Sequence, residues 1–226
     1  MFKIHFGNLT LKAYTKGEHV LRIEATVHNT HELRCGRVVD RFPRIVARLR
    51  SMLERFMTTL DCIDVAFISD QTMDQLPLPS RLGKTRVGGV DLNNLRMRSA
   101  LSAVLALAPS PAGFSATDFR AKVQSMTGQS DEDYTPRQAA YDLKKLRAKD
   151  LITKLGRSRR YQLSPPSMRA ITALLVLREQ VIGPLLAGAR TPPRPSKPAT
   201  CTLVDQHYQQ LRLDMQPLFH ELGVAA

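Results

Sequence analysis

Residues 134–163, YTPRQAAYDLKKLRAKDLITKLGRSRRYQL, admit few folds. Thr135 supplies a helix cap, Pro136 takes the first helical position, and Gln138 closes a T-x-x-Q capping box. Ala140, Leu143 and Leu146 mark an inward stripe, while Arg137, Gln138, Tyr141, Lys144 and Lys145 face outward. Residues 151–155 and 160–163 then predict two strands around a tight turn of Gly156, Arg157, Ser158 and Arg159. Nine Lys or Arg fall between Arg137 and Arg160 against two Asp, a net +7 out of the formal +13 of the whole chain. A capped helix followed at once by a hairpin, both basic on the outside, is an electrostatic footprint for a phosphate backbone.

The residues before this stretch predict two more helices. The first covers about 92–108, with Leu95, Leu101, Val104 and Leu105 as inner residues and Pro109 and Pro111 to stop it. The second starts at Ser115, with Asp118 at the third position and Phe114 and Phe119 as a hydrophobic staple, and runs to about Met126. Further upstream, LTLKA and VLRIEATV alternate apolar and polar residues with period two, which predicts half-buried antiparallel strands within 2–27. A two-residue turn would mix their faces. A three-residue loop of Lys16, Gly17 and Glu18 keeps them apart and opposes Leu11 to Ile23 and Ala13 to Leu21. Lys12, Arg22 and Glu24 then share the polar face, where a cross-strand ion pair is the expected role.

Between residues 42 and 60, Phe42, Ile45, Val46, Leu49, Met52, Leu53, Phe56 and Leu60 follow the spacing of an amphipathic helix that begins at Pro43. Arg44, Arg48 and Arg55 occupy its other side. The segment 69–91 is rich in Pro and Gly and reads as a connection. Residues 167–187 predict a helix that is apolar nearly all round, suited to burial between domains or to pairing with a second copy. RTPPRPSKP is a stiff linker. Val204, Tyr208, Leu211, Met215, Leu218 and Leu222 mark a terminal amphipathic helix with Pro217 inside it.

A pI near 10.2 points to a polyanionic partner. The membrane is the weaker choice, because the longest apolar run, Ala170 to Leu177, is far too short to span a bilayer. MFKIHFGNLTLK has no continuous apolar core of a secretory signal. Three scattered cysteines, Cys35, Cys62 and Cys201, make no disulfide framework, and a reducing cytoplasm is the expected location. His28, His31 and Cys35 have a spacing that a metal tolerates, but no fourth ligand accompanies them, and ordinary turn residues are the better account. No phosphate loop, paired-carboxylate site or Ser-His-Asp set is evident, so no cofactor is expected and the chain reads as a binding protein before an enzyme.

Residues 92–163 resemble the winged helix-turn-helix superfamily of bacterial DNA-binding proteins, with LKKLRAKDLI, a basic turn and RYQLS as the recognition-helix-to-wing pattern. Residues 3–187 resemble a family of uncharacterised bacterial proteins through LRIEATV, FSATDFR and YDLKKLR. That family has no established activity. Its members are often longer at the N-terminus, which implies that this chain is a fragment or a short form. Lys12, Tyr14, Lys16 and Leu21 to Glu24 are similar to the Y-x-K and R-x-E strand pattern of rolling-circle replication initiators. No metal-binding His pair or clearly placed nucleophilic Tyr follows them.

The expected fold is therefore α+β and mostly helical. A small N-terminal antiparallel sheet packs with a helix over 1–68, followed by a linker over 69–91 and a winged helix-turn-helix over 92–163. A long apolar helix (164–189), a Pro-rich linker (190–199) and a terminal amphipathic helix (200–226) complete it. The expected function is sequence-specific binding of double-stranded DNA, as a transcriptional regulator or as the DNA-reading part of a mobile-element or replication protein. Arg137 and Gln138 are expected at base edges, with Thr135, Tyr141, Lys144 and Lys145 beside them. Arg157, Ser158, Arg159 and Arg160 are expected at phosphates or in a minor groove. Two other readings compete. One is a replication-initiator-like or transposase-like enzyme fragment. The other is a protein-interaction module with a winged domain that does not bind DNA, forming a homodimer through helix 167–187 and the terminal helix.

Overall fold

The computed structural model describes residues 1–6, 9–17, 20–28, 33, 35, 41–64, 69–184 and 202–221. It shows a mixed α+β, predominantly helical chain that divides into two compact units, 1–173 and 174–226.

The first unit opens with a three-stranded antiparallel sheet of β1 (Phe2–Phe6), β2 (Leu9–Thr15) and β3 (Leu21–Val27), with β2 in the middle. The β2–β3 loop differs from the three-residue expectation. Lys16 N–H donates to the Val20 carbonyl at 2.7 Å and Thr15 pairs with Leu21, so the loop has five residues. Leu11 therefore faces Ala25, and Ala13 faces Ile23. This register pairs all seven residues of each strand, whereas the tighter loop would leave Val27 beyond the end of β2. The shift of two residues preserves the faces, as strand parity requires. Gly17, at φ 73°, makes the bend. Leu21, expected on the half-buried face, lies at the loop end of the sheet and is 68% exposed.

Helix α1 (Phe42–Asp64) packs against this sheet, with β3 as its main strand neighbour. Met52 and Phe56 are buried with Leu9 and Leu11, and Phe2 stacks on Phe56 with ring centroids 5.9 Å apart. Such aromatic contact adds about 0.5–1.5 kcal/mol to the area buried. The predicted apolar face is only partly covered: Phe42, Val46 and Leu60 are exposed. Two arginines expected on the outer side reach other segments. Arg48 donates to the Pro111 carbonyl at 3.4 Å and Arg55 to Gln162 Oε1 at 3.5 Å.

Residues 69–91 are more than a connection. Ser69 caps a short helix α2 (Asp70–Gln75), and β4 (Ser80–Leu82) pairs with β5 (Thr85–Val87) in a two-residue hairpin. Leu76, Val87 and Val90 are buried at its base.

Three helices follow. Helix α3 (Leu95–Leu107) is capped by Asn94 and buries Met97, Ala100, Leu101, Ala103, Val104 and Leu107. Leu95, expected inside, is 67% exposed because the helix starts on it and it points off the first turn. Strand β6 (Phe114–Ser115) leads into helix α4 (Ala116–Thr127), where Ser115 and Asp118 complete a reciprocal capping box. The staple residues Phe114 and Phe119 are buried. Helix α5 (Pro136–Ala148) has the second capping box, between Thr135 and Gln138. Strands β7 (Thr153–Lys154) and β8 (Arg160–Gln162) then join β6 in a sheet of order β6-β8-β7. Each side-chain cap is worth about 1 kcal/mol.

Helix α6 (Pro165–Val176) starts with Ser167 N–H on Ser164 Oγ at 3.3 Å. Its first half is tied into the first unit. Ser167 Oγ donates to the Asp150 carbonyl at 3.2 Å, and from α1 Thr59 and Cys62 reach Met168 Sδ and the Pro165 carbonyl. The second unit begins within α6, which runs on into a π-helical stretch, Leu177–Ile182. Its other described element is helix α7 (Leu203–Glu221), capped by Thr202 and with Pro217 inside. The Tyr208 hydroxyl donates to the Gln180 carbonyl. On α7, Val204 and Leu211 are exposed while Tyr208 and Met215 are half-buried. The Pro-rich linker, the end of the helix expected to reach residue 187, and Leu222 lie outside the described residues. No helix among the described residues is long and apolar enough to cross a membrane.

Candidate nucleic-acid interface

Two side chains fix α5 from within. Asp142 is fully buried, and its carboxylate pairs with Arg96 of α3 at 3.1 Å and accepts the Tyr134 hydroxyl at 3.0 Å. Burial pushes the Asp142 carboxyl above its ordinary range, while Arg96 and the Tyr134 hydrogen bond pull it back toward the charged form. Tyr134 is itself buried, packs edge-on against Phe119, and has its own pKa raised first by burial and then by Asp142. The turn between α4 and α5 is held from the α4 side. Arg120 Nε donates to the Tyr134 carbonyl at 3.0 Å, and the Gln124 amide donates to the Ser130 carbonyl at 3.1 Å and to Asp131 at 2.9 Å. Asp133 accepts the Ser130 N–H and hydroxyl, which hold its carboxyl below the usual range. The start of α5 is thus set by α3, α4 and the turn together.

This inner arrangement corrects the expected stripe. Ala139, Asp142, Leu143 and Leu146 face inward, and Ala140 is exposed. Leu143 and Leu146 are buried as expected, and Ala139 with Asp142, which Arg96 and Tyr134 hold inside, take the place expected for Ala140.

On the outer face Arg137 and Tyr141 are exposed, and Lys144 and Lys145 are half-buried along their stems. Lys145 Nζ sits 5.4 Å from the centre of the Tyr141 ring, a cation–π contact. The Tyr141 hydroxyl accepts the Gly88 N–H at 3.4 Å, so the row Tyr141–Lys145 borders the β4–β5 hairpin. Lys149, on the same row, donates from Nζ to the carbonyls of Leu78, at 2.7 Å, and Gln75. Desolvation lowers the Lys149 pKa.

The residues expected to contact DNA fall into two groups. Arg137, Arg157 and Arg159 are exposed, and Lys144 and Lys145 are half-buried with no carboxylate among the described residues paired to either. The others have structural engagements. Gln138 Oε1 accepts from Thr135 N at 2.7 Å and Thr135 Oγ1 at 3.0 Å, and Thr135 Oγ1 accepts the Gln138 N–H. Ser158 Oγ donates to the Leu155 carbonyl at 2.7 Å and accepts the Arg160 N–H at 3.2 Å, which locks the turn. Arg160 points back into the fold: its Nε donates to the Ala112 carbonyl at 2.8 Å, its Nη2 reaches the Gly113 carbonyl, and Asp118 lies 3.4 Å away. Only 20% of its side chain is exposed. Sequence reasoning missed Asp142, whose signal was an acidic residue inside the inward stripe of a helix with a basic exterior.

Two other groups stand out in the sequence. The Tyr14 hydroxyl donates to Glu24 Oε1 at 2.9 Å and Arg22 pairs with the same oxygen at 3.2 Å, so these strand residues form one polar network. Its ion pair runs along β3, where a pairing with Lys12 across the strands was expected. His31 of the histidine–cysteine segment lies outside the described residues. Cys35 is buried with its thiol on the Leu33 carbonyl, and the described residues hold no cluster of metal-ligating side chains.

Comparison with known proteins finds no matching family model, no matching curated protein and no matching solved structure.

Proposed function

We propose that the first unit binds double-stranded DNA in the manner of a winged helix-turn-helix, with α5 in the major groove and the β7–β8 turn on the backbone. The observation that carries this reading is the joint presentation of charge by two rigid elements. Arg137, Lys144 and Lys145 project from a helix fixed at its start by a capping box and a buried carboxylate. Arg157 and Arg159 are exposed on a turn locked by Ser158. The backbone that carries these cations is thus fixed before a partner arrives, and only side-chain ordering remains to oppose binding.

Within this reading Arg137 is the residue for a base edge, because a guanidinium at the start of a groove-lying helix can take guanine bidentately. Gln138 holds the helix start, since its acceptor oxygen is already used and a bidentate contact with adenine needs that atom. Arg160 supports the turn from inside. The role fits a regulator or the DNA-reading part of a larger assembly. A gel-shift titration with a random-sequence duplex at low salt is expected to give a retarded complex. Absence of any complex there overturns the proposal.

A further inference from the structure

We propose that the β4–β5 hairpin is a second DNA-contacting arm, set beside α5 to grip the sugar–phosphate backbone next to the groove that α5 enters. This rests on the reading of α5 as the duplex-facing helix.

The first observation is an uncompensated charge cluster. Arg81, Lys84 and Arg86 are all exposed, and no carboxylate among the described residues pairs with any of them. Arg81 and Arg86 are direct register partners, and Lys84 sits in the turn between them. Like charges placed opposite each other weaken a strand pair, and a hairpin of three residues a side has little else to hold it. Three cations on such a small element are poorly placed for folding and well placed for a polyanion.

The second observation is how firmly the hairpin is mounted. Val90 N–H donates to the Leu76 carbonyl at 2.9 Å, which closes the base of the loop. Val87 is completely buried. Lys149, the residue that ends α5, donates to the carbonyls of Leu78 and Gln75, and Gly88 N–H donates to the Tyr141 hydroxyl. The turn itself is two residues, with Gly83 at φ 58° in the first central position. Tyr141 of α5 and Lys149 at its end thus hold the residues on either side of the hairpin, which sets its charges beside the outer face of α5. A mere connection between α2 and α3 needs neither the charge nor the anchoring.

The test compares three proteins on one random-sequence duplex by fluorescence anisotropy over about 50–200 mM salt. The first is the wild type, the second Arg81→Ala/Lys84→Ala/Arg86→Ala, and the third Lys3→Ala/Lys16→Ala/Arg44→Ala, which removes the same charge elsewhere. All six positions are exposed, and thermal melts confirm that each variant folds. The hairpin variant is expected to bind on the order of tenfold or more weakly, with a log–log salt slope shallower by about 2–3. The control triple is expected to keep a slope near the wild type. Equal slopes for the two triples, or tighter binding by the hairpin variant, overturn the second arm. An Arg137→Ala/Arg157→Ala/Arg159→Ala variant separates the two claims. If it loses affinity while the hairpin variant does not, only the arm fails. If the wild type binds no DNA, the underlying reading fails with it.

Discussion

Asp142 is the residue on which the orientation of α5 turns. A fully buried carboxylate is tolerated because Arg96 and Tyr134 answer it, and removal of a partner from a buried pair costs about 3–5 kcal/mol. Arg96 is 31% exposed, so Arg96→Ala belongs at the lower end, about 3 kcal/mol at neutral pH. The pH dependence follows from the raised Asp142 pKa. A carboxyl with a higher pKa folded than unfolded keeps its proton longer in the native state, so stability falls as pH climbs above the unfolded value of about 3.9. Arg96 limits that fall, and its loss widens the interval. Urea melts of Arg96→Ala are therefore expected to show a deficit that is large at pH 7 and shrinks toward pH ~4. A second pair of variants divides the basic turn by role. Arg160→Ala is expected to lose about 1.5–3 kcal/mol of stability through its charged hydrogen bonds to Ala112 and Gly113, with the DNA salt slope kept. Arg159→Ala is expected to do the reverse: an unchanged melt and a slope shallower by about 0.9.

At the scale of elements, the helix starts were legible and the contacts between elements were not. Thr135, Pro136 and Gln138 announce α5, and Ser115 and Asp118 announce α4, because capping is a local interaction written within four residues. The β2–β3 register slipped by two because loop length depends on how much of each strand finds a partner, which no turn residue encodes. On α5, Ala139 and Asp142 take the inward place expected for Ala140, and Asp142 is held there by residues 46 and 8 positions away in the chain. The β4–β5 hairpin was hidden among prolines and glycines, since three-residue strands carry almost no periodicity. Gly89 lies at its base, and a Cβ there would stand 1.9 Å from the Pro77 carbonyl oxygen. Gly89→Ala must therefore push backbone apart. It is expected to cost about 1–3 kcal/mol and to open residues 76–90 to limited proteolysis, read as a new cleavage in that segment.

For the whole molecule the distribution of charge matters more than its sum. A formal +13 gives any duplex some attraction at low salt, so binding alone does not locate the interface. Location shows in the salt dependence of variants that remove equal charge from different places. The central claim is that α5 and the β7–β8 turn together form the DNA-facing surface. The direct test is a salt titration of wild type, Arg157→Ala/Arg159→Ala and Lys16→Ala/Arg44→Ala on one duplex. The five cations on α5 and the β7–β8 turn predict a log–log slope of about −4 to −5 by themselves, and about −7 with the three hairpin cations added. The turn variant is expected to be shallower by about 1.8, with the control at the wild-type value. Identical slopes for the two variants, or a wild-type slope near zero, would contradict the account.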